Sequence, residues 1–180
     1  MTSHPHFLWA DLFKRKSTQK SVANALKENI LFRTLNTREL TYLSTLVYER
    51  IYQPEESIFS QNDRGLGMYL IIKGRVAIQN QHPHSKVLIT YLTEGSFFGE
   101  IALVDPNNIR TASAIAAERT AIIGFFKPDL LEILERKPSM GVKILLQLST
   151  VLGKRLLETT EKLSQLDAHL SNPESNEKTS

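Results

Sequence analysis

Between Tyr48 and Phe126 the chain stops reading as helix. The stretches YERIYQ, ESIFSQ, GMYLIIKG, RVAIQN, KVLITYL, TASAIAAE and TAIIGFF are short and rich in Ile, Val, Tyr and Phe, and they partly alternate apolar with polar residues. Turn formers divide them: Pro54, Asn62-Asp63-Arg64-Gly65, Gly74, Asn80 to Ser85 and Gly95. Many short strands at such spacing fold as a sandwich or a small barrel. Gly74, between YLII and RVAI, suits a tight hairpin, because glycine takes positive φ without steric cost.

Helical periods flank this region. In KSVANALKENILF the apolar residues Val22, Leu26, Ile30 and Leu31 recur at helical spacing, which predicts a helix. LNTRELTYLSTL starts a second one, with Asn36 as its cap and Glu39 at the third position of a capping box. Pro128 suits the first turn of PDLLEILERK, and Pro138 stops that helix and begins a longer one to about residue 170. The class is α+β, mainly β. The partition is an N-terminal extension over 1–20 and one domain over 21–170, with strands about 48–126 and C-terminal helices over 128–170. The polar stretch 171–180 is expected to be disordered.

Composition narrows the function. At 180 residues, with 41% hydrophobic and 23% charged, the chain has the size and make-up of one globular domain. A net charge of +3 is too small an excess to point to nucleic acid. The absence of cysteine excludes disulfides, thiolate metal sites and thiol catalysis. No apolar run approaches the ~20 residues that span a bilayer. The N-terminus is not expected to act as a signal peptide, because Lys14, Arg15 and Lys16 follow the short apolar stretch and Asp11 interrupts it. That stretch, Phe7, Leu8, Trp9, Leu12 and Phe13, leaves three readings open: a short helix on the domain, a docking segment, or contact with an anionic membrane surface through residues 7–16. The pairs His4/His6 and His82/His84 lack further ligands and read as turn residues. No Walker loop, HExxH or GxSxG occurs, so no enzyme and no metal or cofactor is expected.

The stretch GSFFGEIALVDPNNIRTASAIA, Gly95 to Ala116, carries the chemistry. Glycine followed by small residues lets backbone approach a ligand. A helical turn at Ile101-Ala102-Leu103 would point free N–H groups at an anion, and Arg110 could reach the same anion. Glu100 would repel a phosphate, so it suits a sugar hydroxyl. The parts describe a pocket for a small sugar phosphate with one negative charge. The bland alternative is a Glu100–Arg110 salt bridge with the glycines serving turns.

FFGEIALVDPNNIRTASAIAAE resembles the phosphate-binding cassette of the cyclic nucleotide-binding domain family, which includes the catabolite activator protein and the regulatory subunits of protein kinase A. The resemblance runs from about Leu31 to Leu166 and takes in YLIIKGRVAI. It implies an eight-stranded jelly-roll β-barrel flanked by N-terminal helices and a long C-terminal helix. By the resemblance, Glu100 binds the ribose 2′-hydroxyl and Arg110 the cyclic phosphate. The backbone of Gly99, Ile101 and Ala102, with Thr111 and Ala112, completes the cradle. Ile109 departs from the family, where many members have proline. KRLLETTEK resembles the activator's central helix, which gives Thr159 and Thr160 to the adenine; the alternative is a threonine bonding back to its own helix. cAMP is favoured over cGMP, but in some relatives a threonine at the place of Thr111 bonds a guanine, which leaves the choice open.

In the last helix Leu152, Leu156, Thr159, Leu163, Leu166 and Leu170 alternate in steps of four and three, the seam of a two-helix coiled coil, so a homodimer through this helix is expected. No helix-turn-helix follows it in these residues. The reading is of a stand-alone cytoplasmic sensor that binds no nucleic acid itself and moves its helices against an unknown protein effector. The alternative is a degenerate β-roll that binds nothing and acts as a dimeric structural protein.

Overall fold

The computed structural model describes residues 22–82 and 85–171. The apolar N-terminal stretch, both His-Pro-His readings in whole or part, and the polar tail past residue 171 lie outside the described residues. A helix over residues 22–28 (α1) opens the described chain. There follow α2 (Thr37–Leu46), β1 (Tyr48–Tyr52), β2 (Ser57–Phe59), β3 (Gly67–Lys73), β4 (Arg75–His82), β5 (Ser85–Thr93), β6 (Phe97–Phe98), a 3-10 turn (Glu100–Leu103), β7 (Ser113–Ala116), β8 (Thr120–Phe126), α3 (Lys127–Arg136) and α4 (Pro138–Ser171).

The eight strands form two antiparallel four-stranded sheets, in the orders β1-β8-β3-β6 and β2-β7-β4-β5, the expected jelly roll. Gly74 makes the β3–β4 turn at φ 98°. Between the sheets lie Tyr52, Ile71, Val76, Phe98, Ala114, Ala116 and Ile122. A second core joins the helices to the outer face of the first sheet. There Leu26, Phe32, Leu43, Leu130, Ile133, Met140, Ile144 and Leu148 meet Met68, Ile123 and Phe125, with the rings of Phe32 and Phe125 edge to face at 5.8 Å. Burying such side chains stabilises by roughly 1.5–3 kcal/mol each.

Local rules set the helix ends. The capping box on α2 is made as the spacing predicts: Glu39 N–H donates to Asn36 Oδ1 at 3.0 Å and Asn36 N–H to Glu39 Oε2 at 2.7 Å. The first helix is shorter than its periodicity implies. It stops at residue 28, because Asn29 turns its side chain back on the main chain and accepts from Leu31 N–H at 3.0 Å. That Asx turn outcompetes another helical turn. Leu31 is therefore buried from a turn, and Ile30 is exposed.

At 34 residues α4 is ~50 Å long. Its inner part buries Met140, Ile144, Leu148 and Val151 against the domain. Past Leu152 every residue whose side chain is described is exposed, Leu156, Leu163 and Leu166 of the seam included. Among the described residues no helix is long and apolar enough to cross a membrane.

Candidate ligand-binding site

A cavity of about 300 Å³ opens between β6, the 3-10 turn, the Ile109–Ala112 segment and the β4–β5 hairpin, with Arg155 of α4 alongside. That is the low end of the range for small-molecule sites, ~300–1,000 Å³. Its walls are mostly apolar: Ile78 and Leu92 from the hairpin, Phe97 and Phe98 from β6, and Ile101 and Ile109. Two buried charges interrupt them, Glu100 and Arg110, only 3% and 5% exposed. Charged groups so enclosed are held at considerable cost unless they are paired and hydrogen-bonded.

They are not paired with each other. Arg110 Nη1 donates to the carbonyl of Gly99 at 3.0 Å, and Nη2 to that of Gly67 at 2.8 Å. Its Cζ lies 4.1 Å from the centroid of the Phe59 ring and 5.5 Å from that of Tyr69. A guanidinium carries more donors than these two carbonyls take up, and Arg110 lines the cavity. Burial pulls its pKa down, opposed by Tyr69, Glu100 and Asp63.

The loop joining β2 to β3 holds the arginine's main chain. Arg110 N–H donates to the carbonyl of Asp63 and Asn62 N–H to that of Arg110, both at 2.9 Å, and Arg64 bridges Ile109. Ile109, where the family often has proline, thus belongs to a paired segment. Gly65, in the same loop, makes room for the guanidinium: a Cβ there would stand 2.6 Å from both Cζ and Nε. On the other side Gly99 adopts φ 74°, ψ 14°, a left-handed conformation that favours glycine. It leads into Glu100 and leaves the 3-10 turn without a side-chain cap.

Glu100 has a different partner. Arg155 of α4 reaches it through Nη1 at 2.5 Å, while Nη2 donates to the Phe97 carbonyl at 3.3 Å and the guanidinium covers the Phe97 ring. One side of the cavity is thereby tied to the long helix.

Residues 49–137 match the family model described as "Cyclic nucleotide-binding domain". These residues belong to the cyclic nucleotide-binding domain family. A cyclic AMP receptor protein from Thermus thermophilus is 30% identical over 142 residues, spanning 78% of this chain and 63% of that protein. The cAMP-activated global transcriptional regulator CRP of Pasteurella multocida is 28% identical over 116 residues, 64% of this chain and 54% of that one. The chain thus spans less than two thirds of the length of these curated relatives. The crystal structure of the Thermus thermophilus catabolite activator protein superposes with a TM-score of 0.68 at 30% identity, covering 77% of this chain and 63% of that one. A cyclic nucleotide-binding domain from Methylobacillus flagellatus gives 0.71 at 21% identity, covering 83% of this chain and 84% of that one, a likeness of fold.

Of the residues read from the sequence of this domain, Gly99, Glu100, Ile101, Ala102, Arg110, Thr111 and Ala112 all line the one cavity. Thr159 and Thr160 do not line it. They lie further along α4, exposed, with hydroxyls donating to their own helix at the carbonyls of Arg155 (2.7 Å) and Leu156 (2.9 Å). Arg155, Phe59 and Gly65 were not singled out from the sequence. Gly65 was visible as a turn former, but its role against Arg110 requires the folded loop. Arg155 sits one helical turn before Thr159 and carries no signal of a partner in the sequence.

Proposed function

We propose that this domain is a cyclic nucleotide sensor, with cAMP favoured over cGMP, and that it acts as a receptor without catalysis. The single observation that carries the reading is Arg110: a buried guanidinium, fixed by two carbonyls, in the wall of a cavity of about 300 Å³. In this reading Arg110 takes the cyclic phosphate with the backbone of Gly99, Ile101, Ala102, Thr111 and Ala112. Glu100 accepts from the ribose 2′-hydroxyl, and the apolar walls take the purine. The naming of relatives as cyclic AMP receptor and cAMP-activated regulator supports the choice of ligand. Thr159 and Thr160 remain the proposed base contacts. With hydroxyls turned to their own helix, they reach a base through rotation of α4 or from the α4 of a second copy.

Output follows from the Arg155–Glu100 pair. A ribose hydroxyl arriving at Glu100 competes for the carboxylate that anchors α4, so ligand binding bears on the helix. How far α4 shifts is limited by the ligand's differential affinity for its two placements. The exposed leucine seam of α4 is the proposed homodimer interface, and a cytoplasmic effector protein the proposed reader.

The test is calorimetric titration with cAMP and cGMP, with hydrogen exchange on α4 as the readout of coupling. Arg110→Ala truncates one side of a buried charge contact, at a cost of about 2–5 kcal/mol, and is expected to weaken binding ~30-fold or more at 1.4 kcal/mol per tenfold. A wild-type protein that neither binds at millimolar nucleotide nor gains thermal stability from it would instead be a structural β-roll.

A further inference from the structure

We propose that Phe59 is a positioning residue for Arg110: its ring is the fixed surface that holds the guanidinium flat and aimed into the cavity before a ligand arrives. The inference rests on the reading that Arg110 takes the anionic group of the ligand.

The arginine sits in a slot with four distinct walls. Below it is the Phe59 ring, 4.1 Å from Cζ to the centroid. Gly65 supplies a wall without a side chain, and any Cβ there would press on Cζ and Nε. At the edges the carbonyls of Gly67 and Gly99 accept from Nη2 and Nη1. Two hydrogen bonds fix the positions of two nitrogens, but the plane can still tilt about the line joining them. The aromatic face removes that freedom, because a planar, weakly hydrated guanidinium stacks on a ring.

The platform is itself braced. Phe59 comes from β2, and its ring centroid lies 5.7 Å from that of Tyr69 on β3 and 5.8 Å from that of Phe98 on β6. The last two stack at 5.5 Å. Three rings from three strands thus lock one another, and Phe59 is the one that carries the cation most closely. An aliphatic residue would fill the same space without a π face. The arginine's rotamer freedom would then be lost on ligand binding instead of on folding, and affinity would fall.

The proposal is tested by a double-mutant cycle on cAMP affinity, using Phe59→Leu and Arg110→Lys alone and together, with thermal melts as a check on folding. An ammonium has no plane to hold. Phe59→Leu should weaken binding by about tenfold in the wild-type background and by little in the Arg110→Lys background. Phe59→Tyr should restore the affinity, and the Nε–H resonance of Arg110 should lose its ring-current shift in Phe59→Leu while keeping it in Phe59→Tyr. Phe59→Met, unbranched and able to adapt to the gap, replaces the leucine variant if that one melts early. An equal loss in both backgrounds means that Phe59 touches the ligand directly and overturns the positioning role alone. Arg110→Lys binding as tightly as wild type, or no binding by the wild type, overturns the reading of Arg110 and this role with it. An Nε–H resonance unshifted in the wild type overturns the stacking geometry whatever the affinities.

Discussion

Gly65→Ala isolates the claim that the fold, not the ligand, places Arg110. The methyl group would stand 2.6 Å from Cζ and Nε, so the guanidinium has to retreat to at least the 3.4 Å at which ordinary contact begins. It cannot do so freely. Phe59 blocks it from below at 4.1 Å, and the bonds to Gly67 and Gly99 are 2.8 and 3.0 Å long. A retreat of that size stretches at least one of them past hydrogen-bonding distance. A hydrogen bond from a charged donor contributes about 1.5–3 kcal/mol. If the same displacement spoils the aim at the ligand, affinity for cAMP falls roughly ten- to hundredfold. Stability should fall by somewhat less than the bond is worth, because alanine also restricts the unfolded chain and offsets about 0.4–1 kcal/mol where its backbone conformation is allowed. Calorimetric titration paired with thermal melts separates the two effects. A Gly65→Ala protein that binds cAMP as tightly as wild type would refute the reasoning, since the slot would then not confine the arginine in its binding state.

Two other outcomes follow from the helices. Glu39 is the joint of α2 and α4: its carboxylate caps Asn36 and meets Lys143 Nζ at 2.8 and 2.9 Å. Burial raises its pKa, but the bonds from Lys143 and the Asn36 backbone, with the charges of Lys143 and Lys137, bring the net shift downward. A lowered folded-state pKa means stability that is present above the ordinary glutamate value and lost as pH falls through the lower one. Glu39→Gln should therefore lower the melting temperature by about 2–4 °C near neutral pH, as ~1 kcal/mol does for a chain of this size. The gap to wild type should close below about pH 4; a gap that stays constant with pH contradicts the assignment. Leu156→Glu with Leu163→Glu places charges on the exposed seam of α4. Light scattering should show the wild type as a dimer and this variant as a monomer, and a monomeric wild type removes the proposed interface.

Much of the fold is legible in local pattern because the governing forces act over a few residues. Strand periodicity in GMYLIIKG and TAIIGFF, the asparagine cap of α2 and the proline starts of α3 and α4 are decided by neighbours within a turn or two. The same locality explains the error at Asn29. Its apolar surroundings fit a helical period, but a short polar side chain beside the main chain ended the helix there. The two-residue β6 is too short to carry a period, yet it delivers Gly99 and Glu100 to the cavity.

Local pattern alone marked the candidates for a sugar phosphate: the glycine-acid pair with Ile101 and Ala102, and, ten positions on from the acid, Arg110 with Thr111 and Ala112. Tertiary structure decided how they are held. Glu100 and Arg110, readable as partners, are kept apart. Arg155, 55 positions from Glu100, takes the carboxylate, and Gly65, Gly67, Gly99 and Phe59 enclose the guanidinium. Sequence spacing carries no information about which buried charge meets which, because that choice follows from how two sheets close and where a long helix crosses them. A charge in a closed cavity must then find whatever partner the packing places within reach.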